Sequence, residues 1–167
     1  MKATLNELQL IDPKLRVLFY APTGAEMKGK YVGETEKNIK AYFTCASRDA
    51  EKCEKIQAEK GTDIKFISII FIDEIEAIAG DRATNGEFMT NSVNTLLQMM
   101  DGVNSFRNVS VVAATNYPWN LDSAILRRFP KRIHIGLANT NTVKKLIDFN
   151  FDLFSSCKSH VDDRFSE

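Results

Sequence analysis

With 167 residues, 44% hydrophobic and 26% charged, the chain has the makeup of one soluble globular domain, long enough to bury a core. Lysine plus arginine total 22 and aspartate plus glutamate total 22, so bulk charge offers nothing to a polyanion, and nucleic-acid binding would need a local basic patch. Three cysteines (Cys45, Cys53, Cys157) without a C-x-x-C pair read as reduced thiols, and two distant histidines, His134 and His160, lack zinc spacing. The opening MKATLNELQL lacks the apolar run of a signal peptide and no stretch reaches the length of a membrane span, which sets a cytoplasmic expectation.

The first expected element is a strand at 15–20, followed by the loop Tyr20-Ala21-Pro22-Thr23-Gly24-Ala25. A helix is expected from 34 to about 60. Ile39, Tyr42, Phe43, Ala46, Ala50, Cys53 and Ile56 recur there at three- and four-residue steps, Glu34 and Glu36 favour its start and Gly61 its stop. The runs FISIIFI at 66–72 and VSVVAA at 109–114 are nearly continuous in hydrophobicity, as in strands of a parallel sheet covered by helices. Between them a helix over about 87–100 sets Val93, Leu96, Leu97 and Met100 on one face and ends before Gly102. A strand at 132–135 and an amphipathic helix over 140–154, with Val143, Leu146, Ile147 and Phe151, complete the order. Strands alternating with helices specify an α/β fold with a mostly parallel sheet.

Four motifs carry chemistry. Ile69-Ile70-Phe71-Ile72-Asp73-Glu74 ends an apolar strand in two carboxylates, at the sheet edge where ligands bind in such folds. There an Asp can hold the water shell of Mg²⁺ and a Glu can polarise a water, although a core strand whose acidic end meets solvent has the same pattern. Asn116, at the tip of the next strand, can orient a water or simply begin a turn into Tyr117-Pro118. Arg127 and Arg128, with Lys131 and Arg132 beyond, suit phosphate oxygens or a solvated helix end. Lys30-Tyr31-Val32 sets an aromatic in a loop, where it grips an extended peptide or packs locally.

Taken in order, KYVGETEKNIKAYF, IIFIDEIEAIAGDR, LLQMMDGV and VVAATNYPWNLDSAILRRFPKRIHI resemble the core of an AAA ATPase from about 16 to about 137. The last segment is most similar to the meiotic clade of katanin, spastin and the ATPases that disassemble ESCRT filaments. The resemblance implies a P-loop NTPase-like three-layer core that binds ATP and Mg²⁺ and couples hydrolysis to protein remodelling in a hexameric ring. Asp73 matches the metal-binding residue and Glu74 the water-activating residue of the Walker B pair. Asn116 matches sensor 1, and Arg127 and Arg128 match arginine fingers reaching into a neighbouring subunit. Pro22, Thr23 and Gly24 match the head of the phosphate loop; Lys30, Tyr31 and Val32 match a polypeptide-gripping pore loop, and 82–87 falls where a second pore loop would be.

The sequence departs from this pattern at a seam near Ala25–Glu26, where the Gly-Lys-Thr end of the phosphate loop, the helix after it and the second strand read as excised together. The family order 5-1-4-3-2 then reduces to an expected 5-1-4-3, with apolar sheet surface left bare. Residues 48–65 are longer than the family's counterpart and are expected to extend the helix before them. Residues 1–137 are expected to form the large subdomain and 138–167 the start of a truncated helical lid. Loss of the loop lysine and hydroxyl predicts weak or absent ATP binding. Three readings stay open: an ATPase by lineage, impaired at this loop; a non-enzymatic AAA subunit or interaction module; or an incomplete form of an active ATPase.

Overall fold

The computed structural model describes residues 12–101, 106 and 108–162, with side-chain surroundings for all of these except 83–85 and 152–162. The described residues fall into two compact units, one ending at Pro130 and the other beginning at Lys131.

In the first unit, strand β1 (Leu15–Tyr20) leads into a one-turn helix α1 (Gly24–Met27) and then the long helix α2 (Glu34–Glu59). Helix α2 runs unbroken to Glu59 and so takes in 48–59 of the 48–65 stretch, and the chain leaves it at Gly61, which has a left-handed φ of 74°. Strand β2 (Lys65–Ile72), a short helix α3 (Glu76–Ala79) and helix α4 (Arg82–Asp101) follow. Strand β3 (Val109–Ala113), a 3₁₀ turn (Pro118–Asn120) and helix α5 (Ser123–Arg128) close the unit. The second unit carries helix α6 (Thr140–Asp162).

The sheet is parallel, in the order β1-β2-β3. This bears out the α/β class and corrects the expected order 5-1-4-3 in two respects. The strand ending in Asp73-Glu74 is central and pairs with β1 directly, and residues 132–135 form no strand. The first difference follows from connectivity: β1 and β2 are consecutive and joined by one helical crossover, and consecutive strands pair unless another is inserted between them. The second follows from packing, because Ile133 and Ile135 bury almost nothing, at 87% and 89% exposed.

Register and side-chain alternation give the sheet two unlike faces. Ile70 and Ile72 of β2 point into a core built with Ile39, Phe43 and Ala46 of α2 and Val93 and Leu96 of α4. Fully burying such side chains contributes about 1.5–3 kcal/mol each. Ser68, on the same face, satisfies its hydroxyl by donating to the Ala46 carbonyl at 2.6 Å. The opposite face carries Val17, Phe19, Ile67, Ile69, Phe71 and Val112. None of these joins the core, and the rings of Phe19 and Phe71 stack on one another at 6.3 Å. These side chains are half-buried, with Val112 exposed, and form a second apolar face apart from the core.

Candidate functional site

The carboxyl ends of the three strands bring the first groups of candidate residues together. The Asp73 amide donates to the Pro22 carbonyl at 3.2 Å, the Gly24 amide to the Asp73 carbonyl at 2.6 Å, and the Ile75 amide to the Ala114 carbonyl at 3.2 Å. Asp73 and Glu74 therefore stand at the middle strand tip, with Thr23 and Gly24 on one side and the Ala114–Asn116 turn on the other. Both acidic residues and Asn116 are exposed. Glu74 is the one non-glycine residue among those described with a positive φ, 51°, a conformation costing roughly 1–2 kcal/mol. Its amide donates to Asp73 Oδ1 at 2.9 Å, which ties the two carboxylate residues into one tight corner. Gly24 lies against that corner so closely that a Cβ would collide with the Glu74 carbonyl oxygen. A packing demand thus accounts for this glycine.

Around Thr23–Glu26 the chain closes on itself. Thr23 caps α1 through a reciprocal box: its Oγ1 accepts from the Glu26 amide at 3.1 Å, and the Glu26 carboxylate accepts from the Thr23 amide at 2.9 Å. The spacing Thr-x-x-Glu was legible in the sequence, yet Glu26 was read only as lead-in to the next loop. Met27 follows it into the core, fully buried. Lys28 directs its Nζ over the Phe88 ring, 5.9 Å from the centroid.

Lys30, Tyr31 and Val32 form an exposed loop, with Tyr31 at 77% and Val32 at 96% exposure. One carboxylate fixes its base: Glu34 Oε2 accepts from the Lys30 amide at 2.7 Å and the Tyr31 amide at 3.1 Å, while the Thr35 hydroxyl accepts from the Gly29 amide at 2.8 Å. Gly33, with φ 81°, supplies the left-handed step into α2 that an L side chain would resist. Glu34 and Thr35 are thus supporting residues, and sequence reasoning had seen in Glu34 only a helix-start charge.

The arginines after Leu126 lie on α5, apart from this corner in the hydrogen-bond pattern. Arg128 donates from Nε and Nη2 to both carboxylate oxygens of Asp101. The bonds from Arg128 hold the Asp101 carboxyl below its ordinary range, and those from Asp101 raise the arginine further. Arg127 is exposed. Arg82, at the start of the segment matched to a second pore loop, is committed inward: Nε and Nη2 donate to Asp122 at 2.7 and 3.2 Å, and Nη1 to Asn94 at 3.2 Å. That segment opens α4 as helix, with a break at Gly86, rather than forming an open loop; the side chains of 83–85 lie outside those described. Cys45 and Cys53 are free thiols, and the side chain of Cys157 lies outside those described.

The sequence profile of the ATPase family associated with various cellular activities (AAA) matches residues 1–137. This chain is an AAA protein. It is 36% identical over 135 residues to the meiotic spindle formation protein mei-1 of Caenorhabditis elegans, covering 78% of this chain and 25% of that protein. Spastin of Anopheles gambiae is 34% identical over 133 residues, covering 77% of this chain and 14% of spastin. The ATPase family gene 2 protein of Saccharomyces cerevisiae is 35% identical over 147 residues, 86% of this chain and 17% of that protein. The mei-1 and spastin similarities agree with the meiotic-clade resemblance. The chain spans a quarter or less of the length of these relatives. Among the described residues, no helix of this AAA domain is long and apolar enough to cross a membrane.

Proposed function

We propose that this chain is an AAA ATPase domain by lineage whose phosphate seat is disabled, so that it serves as a non-enzymatic AAA subunit. The observation that carries the reading is the Thr23–Glu26 capping box. A phosphate loop offers free backbone amides, a lysine and a hydroxyl to the β- and γ-phosphates. Here the Thr23 amide is taken by the Glu26 carboxylate, the Glu26 amide by Thr23 Oγ1 and the Gly24 amide by the Asp73 carbonyl. A third carboxylate beside Asp73 and Glu74 also makes this edge unfavourable for a polyanion. The residues present therefore do not fit ATP with Mg²⁺, and no hydrolytic step is assigned to Asp73, Glu74 or Asn116 in this chain.

What remains suits a subunit acting through contacts. Lys30, Tyr31 and Val32 stand out on a pinned loop suited to an extended polypeptide, and α5 bears arginines that could reach a neighbour's nucleotide in a homo- or hetero-oligomeric ring. In this reading α6 begins the helical lid, the seam at Ala25–Glu26 is a deletion, and the protein works in the cytoplasm. Isothermal titration with Mg-ATP tests the proposal. No saturable binding is expected into the millimolar range; micromolar affinity lost on Lys28→Ala or Lys30→Ala would overturn it.

A further inference from the structure

We infer that the apolar stripe of α6 pairs with the same stripe of a second copy of this chain, antiparallel and about a two-fold axis at Leu146. The inference goes beyond the proposed function and does not depend on it, because an isologous two-fold contact closes on itself whereas ring subunits meet head to tail. It starts from an exposed stripe. Helix α6 has a capped start, with Asn139 Oδ1 accepting from the Thr142 amide at 2.8 Å, yet Val143, Leu146 and Ile147 are 42%, 52% and 49% exposed. With Asn150 and Phe151 they line an apolar groove along the helix. Helices draw most of their stability from packing an amphipathic face, which α6 lacks while this stripe stands in water. Asn150 tolerates burial there, because its Nδ2 already donates to the Leu146 carbonyl at 2.7 Å.

Charge selects what covers the stripe. Lys144 and Asp148, four residues apart, share one flank of it, and neither forms an ion pair among the described residues. The opposite flank carries Thr142 and Phe149, both uncharged. Antiparallel pairing about a two-fold axis brings like flanks together. Because Leu146 is midway between Lys144 and Asp148, an axis there sets each lysine against the aspartate of the other copy, twice. Parallel pairing would set the charged flank against Thr142 and Phe149 and leave both charges unmatched. The stripe and its charged flank are therefore complementary to themselves in one orientation only. Lys145 lies on the far side of the helix and takes no part.

Sedimentation velocity of the full chain over a concentration series, in about 150 mM salt to screen net charge, tests the pairing. A reversible monomer–dimer equilibrium is expected, weakened at least tenfold by Leu146→Asp. Lys144→Glu alone and Asp148→Lys alone each set like charges together twice and should weaken it several-fold, while Lys145→Glu should dimerise like the parent. Mixing the Lys144→Glu and Asp148→Lys variants is the decisive arm. Each keeps like charges within its own helix, yet opposite charges meet across the mixed pair, so the mixture should dimerise about as tightly as the parent. A chain that stays monomeric at every concentration, or a dimer indifferent to Leu146→Asp, would overturn the pairing. A mixture no tighter than its two components would overturn the antiparallel register. Recovery on mixing also separates lost pairing from lost folding, since neither chain is altered by the other's presence unless they pair.

Discussion

Asp122→Ala probes the joint that holds α5, and its cost can be built from the structure. Asp122 is almost wholly buried, with its side chain 5% exposed, and does two things at once. As N-cap it accepts from the Ala124 amide, and losing such a cap costs about 1 kcal/mol. It also accepts a forked, charge-assisted contact from Arg82, which as a unit contributes about 1.5–3 kcal/mol. The lower end applies, because the Arg82 side chain is 36% exposed and can turn to water when its partner goes. The sum is about 2–3 kcal/mol, which in a chain of this size lowers Tm by roughly 5–10 °C. Burial alone would raise the Asp122 carboxyl; the Arg82 guanidinium and the Ala124 and Ile125 amides outweigh it and hold the group below its ordinary value. A depressed carboxyl contributes stability above the unfolded value near 3.8 and loses it as pH falls through the lower folded value. Thermal melts of the full chain at neutral pH and at pH about 3 check both statements. Asp122→Asn, which keeps a cap but no charge, should lose less at neutral pH than Asp122→Ala and less still in acid. An alanine variant melting within about 2 °C of the parent, or an asparagine variant matching it, would refute the reasoning.

Gly24→Ala should destabilise by about 1–3 kcal/mol in urea unfolding, since the new methyl meets the Glu74 carbonyl; an unchanged midpoint would remove the packing explanation for this glycine. Burial, with the hydrogen bond to Asp49 at 2.8 Å, pushes the Tyr20 phenol up to about 12. A raised phenol contributes stability in full below its unfolded value of 10.0 and loses it as pH rises toward 12. Absorbance titration should therefore show one tyrosine ionising late, and Tyr20→Phe should abolish that phase. Val112→Lys, on the sheet face away from the core where Val112 is 46% exposed, should lower light scattering and anilinonaphthalene-sulfonate fluorescence while shifting Tm by only a few degrees; unchanged dye binding would show that this face is not the sticky one.

Much of this molecule was written locally. The apolar stripe from Ile39 to Ala50 specifies α2 and its buried face, and the runs ending in Ile72 and Ala113 specify strands whose tips must carry Asp73 and Asn116. Periodicity and the order of motifs were enough for fold class and family because both depend on near neighbours in the chain. What the sequence left open turns on groups distant along it. Strand order is set by pairing between segments distant in the chain, and β2 took the centre. The standing of Gly24, the closure of Glu26 onto the Thr23 amide, and the commitment of Arg82 to Asp122 and Arg128 to Asp101 are contacts between elements. Side-chain type alone does not reveal them, because an arginine or a carboxylate reads the same whether solvent or a buried partner satisfies it. By itself the sequence determined an AAA domain; only the tertiary structure decided what each charged group around Thr23–Glu26 and along α5 holds, because hydrogen-bond partners are chosen by folded proximity.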